Sequence, residues 1–150
     1  MAARDIFEEA RDASWELHRH DMRYNAMEAR ALSLGGQQEA HVSSGGVADR
    51  MRSVDALVDY EAMMGRYERE WCAKVDRAVA LLYGWDWQGG IARSLGMAYA
   101  EVLECIYVKR MTMRETAAYV HWSPRKCCDM RREAFAHIDA AGEDAAAAGE

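Results

Sequence analysis

Two helix-start signals lie close together in the stretch TMRETAAYVHWSPRKCCDMRREAFAHI, residues 112–138. Thr112 and Glu115 have the Thr-x-x-Glu spacing of a capping box, in which each side chain accepts a hydrogen bond from a backbone N–H that would otherwise be unpaired. Ser123 is a favoured N-cap residue, and Pro124 suits the first helical position because its missing N–H would be unpaired there anyway. The two signals predict a short helix and a longer one, separated by a tight turn.

The predicted pair comprises a helix over residues 113–120, a turn at His121 and Trp122, and a second helix that begins at Pro124. Ala117 is small where the two helices should cross, and its size lets their axes approach. This is the layout of a helix-turn-helix, whose second helix enters the major groove of DNA. The alternative is a helical hairpin without that function, because short helices with basic outer faces are common on protein surfaces.

The second helix of this pair has an apolar side and a basic side. Its apolar residues recur at spacings of three and four, which predicts that they face inward. They are Cys127, Met130, Ala134 and Ile138, with Phe135 beside them. The other side carries Arg125, Lys126, Cys128, Asp129 and Arg132. Side chains of these types reach phosphates and base edges of DNA.

Charge is distributed unevenly along the chain, whose net charge is −6. Residues 109–132 hold seven basic and two acidic residues, a net of +5, whereas residues 1–88 hold 11 basic and 16 acidic residues, a net of −5. A basic patch on an acidic body is the pattern expected of a DNA-binding module with a separate attached part. Chance clustering on a helix surface is the alternative.

The basic and polar residues of this patch divide into two predicted roles. Four of them should face the groove and contact bases, namely Arg125, Lys126, Asp129 and Arg132. Four others should contact phosphate and set affinity rather than sequence choice, namely Lys109, Arg110, Arg114 and Arg131.

Two long helices are predicted ahead of this module, over residues 3–32 and 47–82, with a mobile glycine- and serine-rich linker over residues 33–46. Each helix has an apolar stripe that it cannot bury alone. Four apolar residues of the second helix lie seven apart, as in a coiled coil. They are Leu57, Met64, Trp71 and Ala78. Because Glu61 and Glu68 interrupt the second seam position, we expect an antiparallel helical hairpin that joins copies of the chain into a homodimer or higher homo-oligomer.

A loop and a third helix should connect the hairpin to the C-terminal module. The loop YGWDWQGG, residues 83–90, holds Trp85 and Trp87, which we expect to pack where the hairpin meets that module. An exposed aromatic patch that recruits a partner is the alternative. One continuous helix is predicted over residues 91–108 as the scaffold beneath the helix-turn-helix.

The composition limits the class of protein. A chain of 150 residues with one proline and 51% hydrophobic residues predicts an all-α fold of one or two small domains. No apolar run approaches the roughly 20 residues that span a bilayer, and no signal peptide is visible. We therefore expect a cytoplasmic protein that contacts no membrane. The four cysteines lack the spacing of a metal site and are predicted to be reduced thiols. They are Cys72, Cys105, Cys127 and Cys128.

The predicted architecture is all-α, with a long N-terminal antiparallel helical hairpin followed by a C-terminal helix-turn-helix domain. The hairpin should occupy residues 1–84, the helix-turn-helix domain residues 89–141, and a flexible acidic tail residues 142–150, which should fray. The histidines are scattered, and no nucleophile or carboxylate pair has a catalytic arrangement. We expect no enzymatic activity, no metal and no cofactor.

The segment LECIYVKRMTMRETAAYVHWSPRKCCDMRREAF, residues 103–135, resembles region 4 of bacterial sigma factors. It is more similar to the sigma-region-4-like proteins of phages and prophages, which include the ArpU and RinA type late transcription regulators and related phage families of unassigned function. The matching positions are Val102, Leu103, Tyr107, Val108, Thr112, Glu115, Ala117, Ser123, Arg131, Arg132, Ala134, Phe135 and Ile138. Upstream, residues 42–45 and 54–61 resemble the loop and the VDxLVDxE segment of one such phage family.

The chain departs from this family pattern at four positions. Thr116 stands where the family has a large aliphatic residue, and Met113 replaces a usual tryptophan. His121 occupies a turn position where glycine or asparagine is common, and Cys127 replaces a core valine.

The resemblance implies a phage-derived transcription regulator that acts in the cytoplasm of a bacterial host cell and binds double-stranded DNA through a sigma-region-4-like helix-turn-helix. Two alternatives remain open. One is a small terminase subunit, which joins a helix-turn-helix to oligomerising helices for DNA packaging. The other is an adaptor that binds RNA polymerase without specific DNA contact.

Overall fold

The computed structural model describes residues 1–36 and 45–150, and these residues form helices without a strand, as the composition predicts. The two long helices are α1, Ala3–Gly36, and α2, Gly45–Tyr83. The remaining helices are α3, Gly90–Ser94; α4, Met97–Leu103, which continues as a π-helical turn over Glu104–Val108; α5, Met113–Val120; α6, Pro124–Ala141; and α7, Glu143–Ala148. Most of the predicted linker, residues 37–44, lies outside the described residues.

The described chain divides into two compact units. One combines residues 1–15 with residues 71–150, and the other comprises residues 16–70. This division differs from the predicted boundary near residue 84, because the start of α1 and the end of α2 pack with the C-terminal helices. Phe7 of α1 contacts the rings of Tyr107 and Phe135 at centroid distances of 5.5 Å.

The first unit has a continuous apolar core. The inward stripe predicted for α6 is confirmed, since Cys127, Met130, Ala134 and Ile138 are all buried. This stripe packs in one cluster with apolar residues of the other helices of the unit. These include Ile6, Phe7, Leu81, Leu82, Ile91, Val102, Leu103 and Ile106.

The predicted helix caps are also confirmed. The Glu115 N–H donates to the Thr112 hydroxyl at 3.2 Å, and the Thr112 N–H donates to the Glu115 carboxylate at 2.7 Å. The Ser123 hydroxyl accepts from the Lys126 N–H at 3.1 Å, and Pro124 is the first residue of α6. These partners are three residues apart or fewer, so the caps depend only on local sequence.

The prediction of one continuous scaffold helix over residues 91–108 is wrong. Helix α3 ends at Ser94, and Gly96 has a φ of 115°, a backbone conformation that an L side chain rarely adopts. Beyond α4 the backbone widens into the π-helical turn, in which the Lys109 N–H donates to the Glu104 carbonyl at 2.9 Å. The apolar repeat continues through these breaks because each segment faces the same core.

The prediction of a flexible tail over residues 142–150 is wrong, because Glu143–Ala148 form helix α7, in which Ala146 and Ala147 are buried. Arg77 of α2 donates two hydrogen bonds to the Glu143 carboxylate. At Gly89, a Cβ atom would lie 2.4 Å from the Ala147 carbonyl oxygen, so the close approach of α7 requires glycine there. Periodicity could not reveal this packing, because alanine fits a solvated tail and a tight contact equally well.

The prediction that Trp85 and Trp87 are covered is also wrong. Their exposed fractions are 73% and 71%, although the Trp87 ring stacks on Tyr83 at a centroid distance of 5.5 Å. The Trp87 N–H donates to the Gly84 carbonyl at 3.3 Å in a turn where Trp87 itself has a φ of 62°. The turn therefore holds two large aromatic side chains in solvent.

The second unit, residues 16–70, contains parts of α1 and α2. Within it, His20 Nδ1 lies 3.0 Å from the Tyr60 hydroxyl, and the two rings stack at 5.3 Å. A hydrogen bond from Tyr24 to Glu61 raises the pKa of the tyrosine hydroxyl. In the described ranges of the whole chain, no helix is long and apolar enough to cross a bilayer, and no three metal-binding side chains come together.

Thr116 provides a test of core packing in α5. Its side chain is fully buried, and its hydroxyl has no hydrogen-bond partner in the part of the chain that the structure describes. Thr116→Val removes the unsatisfied hydroxyl and should raise the free energy of unfolding by about 1 kcal/mol. Thr116→Ser keeps the hydroxyl and loses a methyl group, so it should lower that free energy by about 1 kcal/mol. Urea unfolding measures both, and a less stable Val variant would contradict the packing.

The ion pair between Arg77 and Glu143 predicts a pH dependence. The Arg77 hydrogen bond is the main reason that the Glu143 pKa lies below its ordinary value of 4.5. The stabilisation that this ion pair gives the folded state is therefore complete above about pH 4.5. It is lost as the pH falls through the lower pKa that Glu143 has in the folded state. Glu143→Gln should cost less than about 1 kcal/mol of unfolding free energy at pH 7, since the pair is partly exposed, and nothing at pH 2. An equal loss at both values would show that α7 docks without this charge.

Candidate nucleic-acid interface

Helices α5 and α6 are joined by the three residues 121–123. His121 ends α5 in the left-handed conformation, with a φ of 58°, and the Trp122 N–H donates to the Ala117 carbonyl at 3.1 Å. Histidine tolerates this conformation better than most residues. Because α5 buries Thr116 and Ala117 while all of residues 121–126 are exposed, the connection places the first turn of α6 in solvent.

The first turn of α6 concentrates positive charge. Arg125 and Lys126 are exposed, and the structure shows no hydrogen-bond or ion-pair partner for either side chain among residues 1–36 and 45–150. This turn contains no acidic residue, although acidic side chains are the ones that a helix N-terminus favours. The N-terminus of this 18-residue helix carries the positive end of the helix dipole, which repels the two cations beside it. A bound anion would relieve this repulsion.

Asp129 and Arg132 lie farther along the outer side of α6. Arg132 Nη2 donates to Asp129 Oδ1 at 2.9 Å, one helical turn away. Arg132 is exposed and Asp129 is partly exposed. A pair of this kind contributes under about 1 kcal/mol, so a phosphate or a base edge can replace it. The four predicted groove-facing residues therefore lie on one helix, two as unpaired cations and two as a local ion pair.

Arg131 lies in a groove that the sequence did not predict. The groove has a volume of about 380 Å³ and separates the flank of α6 from the start of α1. It is lined by Arg4, Glu8, Tyr107, Cys128, Arg131, Arg132 and Phe135. Arg4 Nε donates to the Glu8 carboxylate at 2.7 Å. Burial raises the pKa of the Tyr107 hydroxyl, and the charge of Arg131, which donates a hydrogen bond to that hydroxyl, partly opposes the increase.

The groove adds Arg4 to the candidate interface. Arg4 and Arg131 come from opposite ends of the chain, and the contact of Phe7 with Phe135 brings their helices together. A further hydrogen bond of 2.6 Å joins the Ala3 N–H to the Asp139 carboxylate. No local pattern signals this contact, and the only sequence clue is the apolar periodicity of α1.

The structure places the predicted phosphate-binding residues Lys109 and Arg110 in contacts within the chain. Lys109 Nζ lies 3.5 Å from the Glu104 carboxylate and 5.1 Å from the centre of the Tyr119 ring. Arg110 donates to the Ser14 carbonyl at 3.2 Å and to its hydroxyl at 2.7 Å, and its guanidinium lies over the Trp15 ring. The exposed Arg114, by contrast, has no partner in the described residues.

Arg110 therefore tests the difference between a structural and a binding cation. Arg110→Ala removes two charge-assisted hydrogen bonds to Ser14 and should lower the free energy of unfolding by about 1–2 kcal/mol. Arg114→Ala is the matched control and should change it by less than about 0.5 kcal/mol. Chemical denaturation of the two variants measures the difference, and equal stabilities would place Arg110 among the free surface cations.

Comparison of the chain with known protein families, with curated proteins and with solved structures gave no match.

Proposed function

We propose that this chain is a phage-derived transcription regulator that binds duplex DNA, using α5 and α6 as a sigma-region-4-like helix-turn-helix. The observation that carries the proposal is the solvent-exposed, unpaired pair Arg125 and Lys126 at the N-terminal end of α6. In helix-turn-helix proteins, the N-terminal residues of the second helix are the ones that contact base edges.

Electrostatics supports this choice of surface. The free backbone N–H groups of a helix N-terminus attract phosphate, and the two unpaired cations add to that attraction. Because no carboxylate neutralises them within the described residues, a bound anion relieves repulsion that the free protein retains. The overall charge of −6 then limits DNA contact to this basic surface, since the acidic remainder repels the duplex.

Each predicted residue has a proposed role at the duplex. Arg125, Lys126 and Arg132 read guanine or hold phosphate, and Asp129 accepts from a cytosine amino group. Phosphate contacts come from Arg114 and Arg131, to which the groove adds Arg4. Lys109 and Arg110 contribute mainly to the fold, because their side chains contact Glu104 and Ser14.

The proposed regulator acts as an oligomer that uses the two long helices to join copies of the chain. In a homodimer, two helix-turn-helix modules would bind paired half-sites one helical turn, roughly 34–36 Å, or a multiple of it apart. A ring-shaped assembly would instead favour the small terminase alternative. The RNA polymerase adaptor is favoured by a separate observation, the solvent-exposed Trp85 and Trp87, because tryptophan is enriched at the energetic centres of protein interfaces.

The test is binding to random duplex libraries at several salt concentrations. Arg125→Ala/Lys126→Ala should weaken binding about tenfold or more, since each lost base contact costs about 1–3 kcal/mol. If both residues instead contact phosphate, the slope of the logarithm of the binding constant against the logarithm of the salt concentration should become shallower by about two. A control with the same charge change is Arg52→Ala/Arg66→Ala, two exposed arginines of α2.

Unchanged binding in the Arg125→Ala/Lys126→Ala variant would exclude this surface. If that variant also retained transcriptional activity, the adaptor would be the better explanation. Equal losses in the variant and in the control would show that binding follows net charge alone.

A further inference from the structure

In the second unit, residues 16–70, the residues whose burial the structure describes form no apolar core. Among the residues of this unit whose burial the structure describes, His20 alone is buried. Two amphipathic helices this long gain most of their stability from burying apolar faces, and an isolated pair has too few neighbours to do so. The unit therefore needs apolar surface from outside itself.

The exposed apolar residues of α2 include a continuous stripe. Met51, Val54 and Val58 have exposed fractions of 61%, 44% and 56% and recur at spacings of three and four, so they share one face of the helix. Ala62 and Gly65 continue the same spacing. We call these five residues the outer seam. It differs from the coiled-coil repeat of Leu57 and Met64, which lies on another face of the helix.

The described residues of the chain do not explain why position 65 is a glycine. A Cβ atom there would meet only the Arg69 guanidinium, at 3.7 Å, and its backbone is helical, so neither crowding nor conformation in the described structure requires glycine. Glycine is among the least favourable residues in a helix interior. The close approach of another backbone or of a large side chain would account for it.

The geometry points to a second copy of the chain as the partner of the outer seam, in an antiparallel pairing of the two α2 helices centred on Val58. This deepens the proposed function, on whose oligomer it rests. The seam is symmetric about Val58, since Met51 and Gly65 lie seven residues on either side, and Val54 and Ala62 lie four. In this pairing the large Met51 fills the space above the partner's Gly65, and Val54 meets the partner's Ala62.

The order of side-chain sizes along the outer seam favours a second copy of the chain as its partner. Side chains become smaller along the seam from Met51 to Gly65, so a second copy in the reverse direction places large side chains against small ones. A second copy therefore fits the seam by symmetry, whereas a foreign protein would not be expected to fit it.

The test is sedimentation equilibrium of the full chain without DNA, with helix content checked by circular dichroism. The wild type should be a dimer at micromolar concentration. Gly65→Met should place two methionines in one space and raise the dimer Kd at least about tenfold, because overpacked contacts are unfavourable. Met51→Gly should weaken the dimer similarly by leaving a cavity. The double variant Met51→Gly/Gly65→Met exchanges the two sizes and should restore the Kd to within about threefold of wild type.

Met63→Gly is the matched control, because Met63 has nearly the same exposure as Met51, 62% against 61%, and lies off the seam. It should leave the dimer Kd unchanged. A monomeric wild type, a dimer insensitive to Gly65→Met, or a double variant as weak as the single ones would overturn the pairing. These outcomes are independent of the proposed DNA contact, because a protein that does not dimerise through the seam can still bind a single half-site through Arg125 and Lys126.

Discussion

Burial of the apolar stripe of α6 decides which side chains of that helix reach solvent. Cys127, Met130, Ala134 and Ile138 are buried against the core, so the rotation of α6 is fixed and Arg125 and Arg132 face outward. The Ser123 cap and Pro124 fix where the helix begins, and thus how far its first turn extends beyond the core. The candidate interface depends on these two constraints together.

The start of α1 adds a third constraint. Phe7 packs on Tyr107 and Phe135, and the same segment places Arg4 and Glu8 along one flank of α6. That flank is therefore a groove, whereas the N-terminal end of the helix stays open. Arg110 connects the same region of α1 to the end of the π-helical turn through Ser14. Basic residues close in sequence thus divide into cations that hold the fold and cations that remain free.

The features that the sequence predicted are local or periodic. The capping box, the Ser-Pro start and the inward stripe of α6 are set by residues within a few positions of one another, and all three are confirmed. The breaks at Gly96 and in the π-helical turn were missed because an apolar repeat was extended across them. The packing of α7 and the Arg4 groove were missed because they join residues distant in sequence. The exposure of Trp85 and Trp87 was missed because large aromatic residues are usually covered.

In the proposed regulator, α5 and α6 bind DNA, and the two long helices are proposed to pair with those of a second copy. The central claim is that the first turn of α6 contacts duplex DNA. Hydrogen–deuterium exchange of the full chain, measured with and without duplex DNA, tests it directly. The proposal predicts that DNA slows exchange at the backbone amides of residues 123–132. Slower exchange confined to the turn that carries Trp85 and Trp87, with residues 123–132 unchanged, would contradict it.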